Sequence, residues 1–170
     1  MQNLLLPHER AERLNEHLIT MLSKKLKCSI KISNGNNLVI DGDAYDEYKA
    51  RNVMAAFGRG FDINIALALL NDEYYLNIIN LKEEFKSKSQ ISRIKARIIG
   101  SEGKAKKYIE EASGAKVCIY GNTIGLIGTL SEIKIANTAV ESILGGSTHK
   151  KAYKRMEGAR RAFKEQSVVS

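Results

Sequence analysis

The stretch RIIGSEGKAKKYIEEASGAKVCIYG, residues 97–121, decides how the chain folds. It holds two glycines three apart, Gly100 and Gly103, with an isoleucine pair before them and a lysine cluster after them. Just upstream, QISRIKARIIG reads as a helix that runs up to Gly100. Downstream, Ala105, Tyr108, Ile109 and Ala112 recur at helical spacing, and Gly114 is a stop signal. AKVCIY and TIGLIG then read as strands joined at Gly121-Asn122, a strong turn signal. SEIKIANTAVESIL reads as a helix with Ser131 as its N-cap and Ile133, Ala136, Val140 and Leu144 on one face. EYYLNIINL supplies a leading strand. The order is strand, helix, glycine loop, helix, strand, strand, helix.

The same order occurs earlier in the chain. Shifting the sequence by 87 residues brings the halves into register without a gap over about fifty positions. Leu22 falls on Ile109, Ile30 and Ile32 on Val117 and Ile119, Ile40 on Ile127, Val53 on Val140, and Gly58 on Gly145. Gly100 and Gly103, however, fall on Arg13 and Glu16, and no glycine precedes Gly35. The first copy therefore keeps the scaffold and lacks the loop. Between the copies, Asp62 is placed to cap a short helix through Leu70. After the second copy, Ala152, Tyr153, Met156, Ala159 and Phe163 stand at helical spacing in a basic C-terminal helix, which Gly158 weakens. The expected domains are 1–71, a degenerate copy with a short linker helix, and 72–170, the copy with the loop and the basic helix.

The formal net charge of +8 is segregated. Residues 1–85 hold 10 Lys and Arg against 12 Asp and Glu, whereas residues 86–170 hold 17 against 7. A positive field confined to the half with the glycine loop is the footprint of a polyanion binder. No run of some 18 apolar residues offers a membrane span, and the N-terminus, MQNLLLPHERAERLNEH, does not fit a secretory signal. An intracellular, cytoplasmic chain is expected. Cys28 and Cys118 sit in strand-like runs, where a reduced thiol is the ordinary state. The three histidines form no pair at ligand spacing and no CxxC occurs, so neither a metal nor a cofactor is expected.

Two helices meeting at Gly-x-x-Gly leave backbone N–H groups at the start of the second helix, which attract phosphate oxygens. Glycine also lets a sugar–phosphate chain approach closely. Enzymatic readings fail. A P-loop would require glycine where Ile98 stands and Ser or Thr where Ala105 stands. GRGFDI, residues 58–63, has Ile63 at the third glycine position of a dinucleotide fingerprint. Glu110 and Glu111 point to different sides of a helix and read as partners of Lys106 and Lys107.

Helix, GxxG and helix followed by strands is the KH arrangement, whose loop clamps about four nucleotides of single-stranded backbone. The second half, with RIIGSEGK, resembles a type I KH domain. The fold class expected is α+β: two tandem KH-like domains, each a three-stranded antiparallel sheet with helices packed on one face. A KH-like copy without the loop, then AAFGRGF, then RIKARIIGSEGK and a basic C-terminal helix resembles the archaeal KH ribosome-assembly family, counterpart of the eukaryotic Dim/Pno small-subunit factors. The resemblance covers roughly residues 5–165. Two departures stand out: Ser101 occupies a position where that family usually has lysine, and archaeal members often keep a GxxG-like loop in the first copy.

The resemblance implies a non-enzymatic protein that binds pre-rRNA near the 3′ end of the small-subunit rRNA. It also implies contact with a PIN-domain endonuclease and with the alpha subunit of translation initiation factor two. A protein-interaction adaptor and a regulator of mRNA or transcription using the same surface stay open as alternatives. The expected RNA-binding residues are Gly100, Ser101, Glu102, Gly103, Lys104 and Lys107 at the loop, with Lys95 and Arg97 beside it. Ile94, Ile98, Val117 and Ile119 are expected as apolar surface for bases, although each reads equally well as core. Lys150, Lys151, Arg160 and Arg161 are expected to extend the positive surface along the C-terminal helix.

Overall fold

A computed structural model describes residues 1–169. The chain forms two compact units, Met1–Asp72 and a second that begins at Glu73. The first contains β1 (Gln2–Leu5), α1 (His8–Ala11), α2 (Glu16–Leu26), β2 (Ser29–Ser33), β3 (Asn37–Asp41), α3 (Ala44–Gly58) and α4 (Ile63–Ala66), with a 3-10 turn at Leu67–Leu70. The second contains β4 (Tyr75–Asn80), α5 (Leu81–Glu84), α6 (Lys88–Ile99), α7 (Lys104–Ser113), β5 (Lys116–Tyr120), β6 (Thr123–Gly128), α8 (Leu130–Leu144) and α9 (His149–Val169). Each unit has a three-stranded antiparallel sheet, ordered β1-β3-β2 and β4-β6-β5. The architecture is α+β, as the strand and helix periodicities predict.

From α2 onward the 87-residue register is structural, since β2 lies 87 residues before β5 at both ends. Between β1 and α1 it breaks. Gln2 pairs with Ile40 as Leu76 pairs with Ile127, an offset of 74. The second unit thus carries thirteen more residues between its first strand and the end of α6, the helix that corresponds to α1. Helix α6 has three turns, whereas α1 has one.

Caps fix most boundaries. Asp62 Oδ1 accepts from Asn64 N at 2.8 Å and starts α4. Ser87 Oγ accepts from Gln90 N and starts α6. Helix α8 begins earlier than predicted: Thr129, not Ser131, is its N-cap. Thr129 Oγ1 accepts from Glu132 N while Glu132 Oε1 accepts from Thr129 N, the reciprocal box that satisfies two end donors. Tyr120 and Thr123 pair across the two-residue turn at Gly121-Asn122.

The second unit has its own core. Leu81, Ile98, Ile109, Ile124, Leu126, Val140 and Ile143 are fully buried in it together with Ala152 and Met156 of α9. The basic helix is therefore seated by its apolar stripe. Gly158 lies within it without ending it. Cys28 is buried and Cys118 half-buried. Among the described residues no helix is long and apolar enough to cross a membrane.

Candidate nucleic-acid interface

Helix α6 ends at Gly100, which has φ +75° and ψ 173°. Ser101–Gly103 make one 3-10 turn, closed by Gly103 N donating to Gly100 O at 3.2 Å. Gly103 is left-handed at φ +75° and ψ 12° and leads directly into α7. Both conformations favour glycine. The two positions differ in what surrounds them. A Cβ on Gly100 would stand 2.6 Å from Ala105 Cβ and 2.7 Å from its N, so the loop is folded tightly onto the first turn of α7. A Cβ on Gly103 would meet nothing within 4 Å, leaving the backbone open on that side. Glu102, between them, has φ +56°, uncommon for a residue with a side chain. No side chain caps α7. Lys104 is exposed, and no carboxylate pairs with it among the described residues. Lys107 is exposed, with Glu111 3.9 Å away, and Lys106 is tied to Glu110 at 3.0 Å. Lys95, half-buried, lies one helical turn before the loop.

The apolar surface is not where it was expected. Ile94, Ile98 and Val117 are 8%, 0% and 3% exposed and belong to the core. They follow the stripe that seats α6 and β5, so no base reaches them without unpacking the domain. Ile119 is half-buried against the same core. The exposed apolar side chains near the loop are Ile99 and Tyr108, which sequence reasoning missed. Ile99 was legible as the partner of Ile98 that a 100° turn sets on the opposite flank of the stripe. Tyr108 packs at a tilt against Tyr153 of α9, ring centroids 4.3 Å apart, and its hydroxyl donates to Glu157. Burial first, then the Glu157 carboxylate, push its phenol above the ordinary value.

Arg97 also departs from expectation. Its guanidinium donates to Ile143 O at 3.2 Å and to Ser147 O at 2.5 Å. Arg10, 87 residues earlier, does the corresponding job: it donates to Phe57 O and Phe61 O, both at 2.8 Å. In each unit an arginine ties a carbonyl in the last turn of a long helix, Phe57 O of α3 or Ile143 O of α8, to one in the segment just beyond it, adding to the backbone N–H groups that Phe57 O and Ile143 O already accept. The carbonyl of Arg97 lies 2.8 Å from His149 Nε2, at the start of α9. Arg97→Gln should therefore lower the stability by about 1.5 kcal/mol or more, a hydrogen bond to a charged donor being lost. Thermal unfolding reads this, and RNA affinity of the folded variant at low temperature should barely change. A stable variant with weakened RNA binding would return Arg97 to the interface.

On α9, Lys150, Lys151 and Arg161 are exposed. Arg160 is half-buried, its Nη1 3.5 Å from Glu157 Oε2. Among the described residues no group of three or more His, Cys, Asp or Glu is placed to hold a metal ion.

A glycine turn opening an uncapped helix, with lysines in its first turn, is a backbone cradle for phosphates. Comparison with known proteins shows the family. Residues 75–161 match the family model described as eukaryotic type KH-domain, type I, of the PNO1 second-domain class. The chain belongs to the PNO1/Dim2 family of KH proteins. It is 39% identical over 148 residues to a KH domain-containing protein of Methanocaldococcus jannaschii, covering 84% of this chain and 65% of that protein. It is 34% identical over 119 residues to the pre-rRNA-processing protein pno1 of Schizosaccharomyces pombe, covering 69% and 49%. Among solved structures it is similar to the a/eIF2alpha-aDim2p-rRNA complex from Pyrococcus horikoshii, with a TM-score of 0.85 and 32% identity over 95% of this chain and 94% of that one. This PNO1/Dim2 chain spans two thirds or less of the length of the two curated relatives.

Proposed function

We propose that this chain is a non-enzymatic, cytoplasmic RNA-binding factor of small-subunit assembly that holds single-stranded pre-rRNA near the 3′ end of the small-subunit rRNA. The observation that carries the reading is the loop: two positive-φ glycines between α6 and α7, open at Gly103, with Lys104 and Lys107 beside it. Phosphates are held at Gly100, Ser101, Glu102 and Gly103 through the backbone, and Lys95, Lys104 and Lys107 supply charge. Ile99 and the half-buried Ile119 give apolar surface for bases. Support for rRNA as the target comes from the relatives, a pre-rRNA-processing protein and an aDim2p–rRNA complex. The second of these also supports the alpha subunit of initiation factor two as a partner. A PIN-domain endonuclease is the third partner proposed, from the family resemblance.

Sequencing RNA crosslinked to the protein in cells tests this. Small-subunit rRNA 3′ ends should be enriched. Enrichment of messages instead would favour a regulator, and no RNA above background would favour a protein adaptor.

The basic face of α9 adds to the same field. Changing Lys150, Lys151, Arg160 and Arg161 to Gln should weaken a long single strand severalfold and make the log–log salt slope shallower by roughly 0.7 per lost contact. Because Arg160 already has a carboxylate partner, the change in slope should fall short of four contacts. No change in affinity or slope would leave α9 as a structural cap.

A further inference from the structure

The thirteen residues that only the second unit has build a feature that shares only Lys95 with the loop. Strand β4 ends at Asn80, whose side chain accepts from Lys82 N and starts the single turn of α5. Leu81 N donates to Asn122 O at 2.8 Å, which ties that turn to the β5–β6 hairpin. Between α5, the start of α6 and the hairpin turn lies a cleft of about 650 Å³ lined by Lys82, Lys86, Lys88, Lys95, Phe85 and Asn122. None of the four lysines forms an ion pair among the described residues. Four unneutralised ammonium groups around one cleft repel each other unless an anion sits among them. The thirteen-residue shorter first unit has no counterpart.

The cleft lies on the path that leads to the loop. Ser92, Lys95, Ala96 and Ile99 recur at i, i+3, i+4 and i+7, so they share one face of α6. Ser92, Ala96 and Ile99 on that face are exposed and Lys95 is half-buried. Lys88 and Gly100 stand at opposite ends of the helix, about 18 Å apart along its axis. We infer that the lysine cleft is a second backbone site for the same single-stranded RNA, engaged only by a strand that outruns the four nucleotides of the loop. The inference rests on the RNA-binding reading above. An aromatic ring among lysines is the combination that tracks single strands without sequence preference, the lysines holding phosphates and Phe85 offering a face to a base. RNA is favoured over an acidic protein segment because the cleft continues the face of α6 that ends at the glycine turn.

The test compares the full-length chain with a K82Q/K86Q/K88Q variant, binding a four-nucleotide and a twelve-nucleotide oligouridine across a salt series. All three lysines are exposed, so the substitutions leave the core untouched. The variant should bind the twelve-mer about tenfold more weakly at low salt, with a log–log slope shallower by about 2, and bind the four-mer within about twofold of the parent. Wild-type binding with an unaffected twelve-mer would overturn the inference alone. So would equal losses on both oligomers, which reflect the general field. A twelve-residue glutamate peptide that binds the parent and not the variant, with RNA unaffected, would assign the cleft to an acidic protein and also overturn it. A parent chain that binds neither RNA would overturn the RNA reading itself, and this inference with it.

Discussion

Changing Ser101 and Glu102 together to aspartate should weaken single-stranded RNA binding at least tenfold and leave the fold intact. Both side chains are exposed, and neither contributes to the core. Asp is better tolerated than Glu at the left-handed φ of position 102, so the backbone gains rather than loses there. The variant adds one negative charge at 101 and moves the other closer to the main chain on a shorter arm. Both carboxylates then stand over the N–H groups that open α7, whose N-cap glycine offers no competing side chain. Each charge-assisted phosphate contact is worth roughly 1.5–3 kcal/mol, and tenfold in affinity is about 1.4 kcal/mol, so losing one suffices. The native loop already carries Glu102 and lacks the lysine usual at 101, so its binding depends on backbone groups more than on side-chain charge. Titration of a labelled single strand gives the affinity, and thermal unfolding checks the fold. Unchanged affinity in the folded double variant would remove the loop from the phosphate site.

The scaffold was largely legible in the sequence, and the misreadings have definite causes. Period-2 and period-3.6 patterns located β5, α7 and α8 because each buries one face, whereas the central strand β6 is buried on both and shows as a short run between turn signals. The reading of Ser131 as a cap failed because a lone serine was weighed without the Thr-x-x-Glu pattern at Thr129 and Glu132, which was in plain view. Ile94, Ile98 and Val117 were ambiguous by nature, since periodicity marks a buried face without saying whether the other side of it is core or ligand. The general rule that arginine avoids the interior marks Arg97 for the interface without showing what else its guanidinium holds. Here the guanidinium reaches helix-end carbonyls, and the coincidence of Arg10 and Arg97 in the 87-residue register was the signal that both are structural. The break of that register at β1 was hidden because the thirteen extra residues are mostly polar and charged, with few apolar positions to align. The lysine cleft lies in that segment and depends on a hairpin turn some forty residues away, a proximity no local pattern reports.

Residues 73–170 produced alone should keep the RNA affinity of the whole chain within about threefold, and residues 1–72 should bind at least a hundredfold more weakly. Three differences between the units point the same way. The first is charge: residues 1–72 hold 9 Lys and Arg against 9 Asp and Glu, while residues 73–170 hold 18 against 10. With affinity for single strands scaling with the phosphates neutralised, a unit of zero net charge gains little. The second is the turn before the long-sheet strands. In the first unit the link between α1 and α2 has no glycine, and Asn15 caps α2 by accepting from Leu18 N at 2.8 Å. That cap occupies a first-turn donor which, in the second unit, has no side-chain cap. The third is length: the one-turn α1 offers no extended face comparable to that of α6. The second unit has a closed core of its own from Leu81 to Met156, so it is expected to fold without the first. Circular dichroism establishes folding of each piece, and titration of a twelve-nucleotide oligouridine then ranks them. If folded 1–72 bound as tightly as folded 73–170, neither the glycine turn nor the charge segregation would be what holds the RNA.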